Sequence, residues 1–290
     1  VDDHSQDNTR EVLKEKFKEN IIRYFTESYK RGETPNPCMV CNPLMKWAAL
    51  LAIAEEEGAE CVATGHYAGV VRLANGRYAI RCAKSAAKDQ AYVLYGLSQE
   101  QLAKTMMPLA SFEKEEIREI AAKIGLSVAD KADSMEICFI PDKDYLGWLS
   151  RRRELPGPGD FCFHGQVIGQ HEGICRYTVG QRRPGLHGDR KVYISHIDAG
   201  ENRIELSLWE ELFQTEVKAR DFNWLMDPPA EPFRGTVRVR HTKWENPPCT
   251  VYPEGNGVRI LCDEPVRAPA AGQSAVVYSG DRLVGGGFIL

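Results

Sequence analysis

At Leu155-Pro156-Gly157-Pro158-Gly159 the hydrophobic period of the chain changes, and no single regular architecture suits both sides of that point. Upstream, apolar residues recur at helical spacing. Leu13, Phe17, Ile21 and Phe25 make a stripe within residues 9–30 that one face of a helix would bury, and Gly32 stops it. A loop is expected over 33–41. A second helix then follows, capped by Asn42 with Pro43 at its first position and running to Gly58. Residues 60–64 read as a short buried strand ending at Gly65. Val70–Leu73 and Arg77–Cys82 flank Asn75-Gly76, a hairpin signal. An amphipathic helix over 112–124 has Ser111 as cap and Gly125 as stop, and 144–153 reads as a short helix. Downstream the helical stripes vanish. Short β runs at 192–197, 204–208, 236–241, 257–262 and 274–279 alternate with Gly and Pro turns, which predicts one or two small barrel-like domains. Pro228, Pro229 and Pro232 mark another joint.

Composition excludes several classes. With 27% charged residues and no apolar run approaching the ~20 residues that cross a bilayer, the chain reads as soluble and globular. The first ten residues are polar, unlike a signal peptide. Nine cysteines at irregular spacing suit a reducing cytoplasm better than a disulfide scaffold. Cys61, Cys82 and Cys262 lie in apolar strand patterns and read as small buried hydrophobes. A net charge of −4 argues against wholesale nonspecific nucleic-acid binding, but basic groups recur locally. Arg151–Arg153 form one, Arg176, Arg182, Arg183, Arg190 and Lys191 a second, and Arg234, Arg238, Arg240 and Lys243 a third. Solvated surface charge is the plain alternative for each.

Six motifs stand out. In Gly32-Glu-Thr-Pro-Asn-Pro-Cys-Met-Val-Cys-Asn42, Pro35 and Pro37 stiffen the loop. Cys41, placed just before a helix start, would have its thiolate stabilised and its pKa lowered by the helix N-terminus. Cys38-x-x-Cys41 could also be half of a zinc site, but no second C-x-x-C or H-x-x-x-H accompanies it, so no metal is expected. Asp133-Ser-Met-Glu-Ile-Cys138-Phe-Ile places a cysteine at a strand edge, which taken alone reads as structural. Ala63-Thr-Gly-His-Tyr67 sits at a strand end, where ligands of parallel α/β sheets bind, although a packed histidine is the plain reading. Lys88-Asp-Gln-Ala-Tyr92 precedes an apolar helix start that Asp89 could cap. Tyr177-Thr-Val-Gly-Gln-Arg-Arg-Pro-Gly185 and Ala271-Gly-Gln-Ser-Ala-Val-Val-Tyr278, with Gly285-Gly-Gly-Phe-Ile-Leu290 at the end, are turn-rich β elements.

In this order, the blocks TPNPCxxCN, ATGHYA, KDQAYVL, DSMEICFI, YTVGQR and GQSAVVY…GGG resemble the tRNA-specific 2-thiouridylase family along nearly the whole chain. The resemblance implies an α/β fold: a partial PP-loop adenine-nucleotide α-hydrolase domain (1–144), a small central domain (145–212) and a C-terminal β-barrel (213–290). It implies thiolation of C2 of the wobble uridine of tRNA, with ATP (and Mg) adenylating the C2 oxygen. A cysteine desulfurase or relay protein would supply sulfur, and no membrane would be involved. Matching motifs assign Cys41 as the nucleophile-type cysteine and Cys138 as the persulfide carrier, with a transient Cys41–Cys138 disulfide. Gly65 would contact ATP. Asn36, Pro37, Cys38, His66, Lys88, Asp89, Gln90, Arg240, His241 and Gln273 would face tRNA.

The chain departs from the family pattern in three places. The SGGVDSS phosphate loop is absent, so inactivity of this chain by itself is expected, and a non-catalytic RNA-binding remnant is an alternative reading. Cys38 stands where some relatives carry an acid/base Asp. Arg240-His241-Thr242-Lys243 replaces a more usual Arg-Tyr-Arg run. Another PP-loop adenylating enzyme is a further alternative, but it leaves the paired cysteine blocks unexplained.

Overall fold

The computed structural model describes residues 9–126, 137–152, 155–185, 188, 190–241 and 246–290. Helix α1 (9–30) forms as its stripe predicts. It loosens to π-helical geometry at Lys18–Ile22 between Thr9–Phe17 and Arg23–Lys30. Ile21, Phe25 and Tyr29 are buried. Gly32 ends the helix at φ +74°, and a Cβ there would lie 2.7 Å from Ile197 Cγ2, so both conformation and space demand glycine.

Helix α2 runs continuously over Pro37–Glu56. The expected loop is therefore shorter, and the helix begins six residues before the position read from sequence. Asn36 is the cap, its side chain accepting from Cys38 N, and Pro37 occupies the first turn. Asn42 lies inside the helix, buried, donating to Val93 O at 2.8 Å. By length and composition alone α2 could cross a membrane. However, Trp47 is fully buried in the core and its indole N–H donates to Thr105 Oγ1 at 2.7 Å.

Strand β1 (Val62–Ala63) is followed by the hairpin of β2 (Ala68–Arg72) and β3 (Tyr78–Cys82) around Asn75-Gly76, and then by β4 (Thr105–Met106), which pairs parallel with β1. Helix α3 (Gln99–Ala103) carries a Ser98/Gln101 capping box. Helix α4 (Lys114–Lys123) is capped by Glu113 with Glu116 rather than by Ser111. Helix α5 (Tyr145–Ser150) is capped by Asp144.

The period-2 half makes two sheets. Strands β5 (Gly159–Phe163), β6 (Gln166–His171), β7 (Arg182–Arg183), β8 (Val192–Asp198) and β9 (Arg203–Ser207) order as β6-β5-β9-β8-β7, with β5 and β9 parallel. Phe161, Val192, Ile194, Ile204 and Leu206 share a core with Phe25 and Tyr29 of α1 and with Trp148 and Leu149 of α5. Six further strands follow: β10 (Phe213–Trp224), β11 (Phe233–Arg238), β12 (Pro248–Glu254), β13 (Gly257–Arg267), β14 (Ser274–Ser279) and β15 (Arg282–Ile289). Their order β10-β13-β12-β11-β14-β15 returns to β10, a closed six-stranded barrel without free edges. The hairpin β2–β3 joins this sheet through Arg81 opposite Arg282. The α/β unit and the barrel also share one core, in which Trp47, Tyr92, Tyr95 and Leu97 pack with Leu225, Val276 and Tyr278.

Gly285-Gly286-Gly287 lets β15 pass between β10 and this core. A Cβ on Gly286 would sit 2.6 Å from the Tyr95 ring. Gly286→Ala should therefore cost about 1–3 kcal/mol by overpacking. Gly157→Ala, at a site with nothing within 4 Å and no left-handed backbone, should be close to neutral. Denaturant midpoints of the two variants against the parent decide. Equal midpoints would refute the packing argument.

Candidate active site

The site is built from the loop that precedes α2. Thr34 N–H donates to Ala271 O at 2.8 Å, and Gln273 Nε2 donates to Thr34 O at 2.7 Å. The barrel turn thus grips the loop on both backbone polar groups. Gly272, at φ +82°, passes so close that a Cβ would lie 2.8 Å from Glu33 Cβ. Two residues later Asn36 caps α2, which fixes Cys38 and Cys41 one turn apart on the same helix. Cys38 is exposed and Cys41 partly so.

Cys138 arrives from a distant segment and is exposed. Its neighbour Phe139 is the anchor, with ring centroids 5.5 Å from Phe17, 5.4 Å from Phe25 and 5.2 Å from Trp148. This aromatic seat carries Cys138 to α1 and the start of α2. Each of Cys38 and Cys41 feels the charge of Cys138. A cleft of about 1070 Å³ opens between α1 and α2, with Cys41 in its wall, an apolar floor that includes Leu13, Phe17 and Met45, and Arg23, Lys46 and Arg152 also lining it.

The electrostatics differ from the sequence expectation for Cys41. Burial pushes its thiol pKa up, the Lys46 ammonium pulls it down, and the two neighbouring thiols push it up again, with a net rise. Cys38 also rises, through burial and then Cys138, against Lys46. The helix N-terminus lies at Cys38 rather than Cys41, because α2 starts at Pro37. His66 is depressed to about 4 by burial and by Lys46, so it is neutral near pH 7. Its Nδ1 lies 3.0 Å from Thr64 Oγ1, and its ring rests on Trp47.

The other predicted positions fall in distinct settings. Gly65 is exposed at the end of β1 and presents bare backbone, with Leu109 Cδ1 the nearest atom to a virtual Cβ at 3.8 Å. Pro37 is buried. Lys88 is half-buried, whereas Asp89 is buried and accepts from Ala83 N at 2.8 Å, with Arg238 3.9 Å away. Gln90 Oε1 accepts from Tyr67 N and so shapes the Gly65–Tyr67 turn. Arg240 donates to Val179 O and Ala268 O, joining the central sheet to the barrel. His241 is exposed, its ring 5.7 Å from Tyr92. Lys243 lies outside the described residues. Sequence reading missed Lys46, the cation beside both thiols of the C-x-x-C pair. Its one signal was a lone charge in the apolar run Pro43–Leu51.

Removing that cation should move thiol reactivity. Lys46→Met should raise the Cys41 pKa further, shift its iodoacetamide rate profile to higher pH and slow alkylation at pH 8 about threefold, a partly screened charge effect. Peptide-resolved alkylation, with buried Cys175 as the internal reference, reads this directly. A profile identical to the parent's would sink it.

Comparison with known proteins finds three family models in succession along the chain. Residues 8–142 match the family described as tRNA methyl transferase HUP domain. Residues 153–207 match the tRNA methyl transferase PRC-barrel domain, and residues 214–289 the aminomethyltransferase beta-barrel domain. The tRNA-specific 2-thiouridylase MnmA of Clostridium acetobutylicum is 44% identical over 94% of this chain and 78% of its own length. Its namesake from Lachnoclostridium phytofermentans is 41% identical over 96% of this chain and 79% of its own length. That from Chlorobium luteolum is 39% identical over 96% and 78%. With α/β, PRC-barrel and β-barrel units in the expected order, this chain belongs to the tRNA-specific 2-thiouridylase family.

Proposed function

We propose that this protein carries out ATP-dependent sulfur transfer to C2 of the wobble uridine of tRNA in a reducing cytoplasm. What supports this most is Cys41 in the wall of a cleft carrying Arg23, Lys46 and Arg152, with Cys138 held by its aromatic anchor near enough to influence the Cys41 thiol. ATP would supply the adenylyl group that turns the C2 oxygen into a leaving group. The exposed backbone at Gly65 suits close approach of a nucleotide, since no side chain blocks it.

In this reading Cys138 carries the persulfide delivered by a cysteine desulfurase or relay protein. Its terminal sulfur bonds to C2 as AMP departs. The Cys41 thiolate attacks Cys138 Sγ, the sulfur–sulfur bond of the persulfide breaks, and a Cys41–Cys138 disulfide is left. Neutral His66, Asn36 and Cys38 line the approach of the base. Gln273 acts through Thr34, holding the cysteine loop in register.

Two measurements test the reading. Incubation with a desulfurase and labelled cysteine should place label on Cys138 and lose it in Cys138→Ser. Label unchanged in that variant would reject the assignment of Cys138, and absence of label in the parent would leave the RNA-binding remnant as the better reading. For tRNA, affinity should fall with salt at roughly −0.7 to −0.9 in log–log slope per phosphate contacted. Arg240 is a poor reporter because its donors join two units. Arg182 is exposed, with no side-chain hydrogen bond or ion pair among the described residues, so it is the better probe. Arg182→Ala should flatten the slope by about one unit and weaken different tRNAs alike. An unchanged slope in filter binding would remove Arg182 from the interface.

A further inference from the structure

Cys262 reads from the sequence as a small buried hydrophobe, and the fold gives its thiol a partner. Cys249 on β12 and Cys262 on β13 stand directly opposite one another in the barrel core, both free, 0% and 6% exposed. The hairpin of these strands turns over two residues, Gly255 and Asn256, with Gly255 at φ +58° in the first turn position. Such a turn makes the flanking pair Glu254–Gly257 a hydrogen-bonded one, and the two kinds of pair then alternate along the ladder, which has no register shift. Pro253 opposite Val258 thus falls in the class without hydrogen bonds, as suits a residue with no N–H. Cys249 opposite Cys262 falls in the same class.

Pairs of this class hold their Cα atoms about 4.5 Å apart, with the Cβ atoms at a similar distance. A disulfide spans about 4.4–6.8 Å between Cα atoms and about 3.5–4.5 Å between Cβ atoms. The two thiols therefore stand at the edge of bonding range on a backbone already in place. The other cysteines within strands face different residues: Cys82 is opposite Ala68, and Cys162 is opposite Val167 and Glu205.

We infer that Cys249 and Cys262 form a reversible disulfide site inside the barrel, oxidised by hydrogen peroxide and reduced by a cellular dithiol. It uses neither Cys41 nor Cys138 and is independent of the sulfur-transfer reading. Cys262, the less covered of the two, reacts first. Its thiolate attacks one peroxide oxygen, the O–O bond breaks, and the departing hydroxide takes up the thiol proton as water, leaving a sulfenic acid. Cys249 Sγ attacks that sulfur, the S–O bond breaks, the S–S bond forms, and a second water carries off the Cys249 proton. The two thiols lose two electrons and the peroxide gains them. Burial and then the Asp263 charge push the Cys262 thiol up to about 11, and burial and then Cys262 push Cys249 up to about 12. Few thiolates exist near pH 7, so the pair answers to sustained rather than passing peroxide. A bond closed at the edge of the allowed spacing is strained, which keeps it reducible.

The test incubates the folded full chain with hydrogen peroxide at mildly alkaline pH, quenches with acid and N-ethylmaleimide, and maps disulfides by mass spectrometry. Cys162 and Cys175 are the internal references, since both are buried. The Cys249–Cys262 bond should form about tenfold faster than those two thiols are lost, and dithiothreitol should restore it to thiols. Cys249→Ala should leave Cys262 as a sulfenic acid that dimedone traps, and Cys262→Ala should leave Cys249 a thiol. The parent measurement stands by itself where either variant fails to fold. Cys249 and Cys262 lasting as long as Cys162 and Cys175, pairing with other cysteines instead, or joining only in denaturant each overturns the inference.

Discussion

The two hydrogen bonds through Thr34 govern the arrangement of the site. One backbone donor and one backbone acceptor of a short loop are both taken by the barrel turn at Ala271 and Gln273. Beside them Glu33 lies between Arg31 and Arg220. Burial alone would raise its pKa, yet hydrogen bonds from Arg31 and Ser28 and the two arginine charges hold it below the ordinary carboxylate value. A charged Glu33 so placed ties the end of α1, the loop and β10 to one another. With the loop fixed at this end, the chain turns into α2 at Asn36, and the position of both cysteines of the C-x-x-C pair follows.

Much of this was legible in the sequence, and the failures have physical causes. The stripe of α1, the Asn75-Gly76 hairpin and the β runs after Gly159 appear where local pattern puts them, because each is decided by period and turn chemistry. The start of α2 was misplaced because the sequence holds two Asn-Pro pairs, Asn36-Pro37 and Asn42-Pro43, and both satisfy the rule for a capped helix start. The choice between them is tertiary. Thr34 is pinned to the barrel, while the Asn42 amide is consumed by Val93 O inside the core. The expected depression of the Cys41 thiol failed for the same reason, since it assumed the later start.

The placing of Cys138 on the side of the C-x-x-C pair had no local signature at all. It depends on Phe139 finding Phe17, Phe25 and Trp148, contacts between segments far apart in the chain. Only the order of the motifs, rather than any residue pattern, linked the two cysteine blocks. Tertiary packing likewise accounts for Asp89 and Arg240, whose polar groups are spent on Ala83 N and on the Val179 and Ala268 carbonyls.

The common core of the α/β unit and the barrel has a consequence for how such a protein can change. Tyr92 donates to Ser274 O, Tyr95 shares a hydrogen bond with Ser274 Oγ, and Asn223 donates to the carbonyls of Tyr95 and Leu97. A recombination event that exchanged the barrel for a foreign one would strand these buried hydroxyls and carbonyls without partners, each at a cost of about 1–3 kcal/mol. The barrel is therefore not a portable module that evolution can shuffle between enzymes. It must drift in step with the unit it covers, and a substitution on one side of that core is tolerated when the other side has already made room for it.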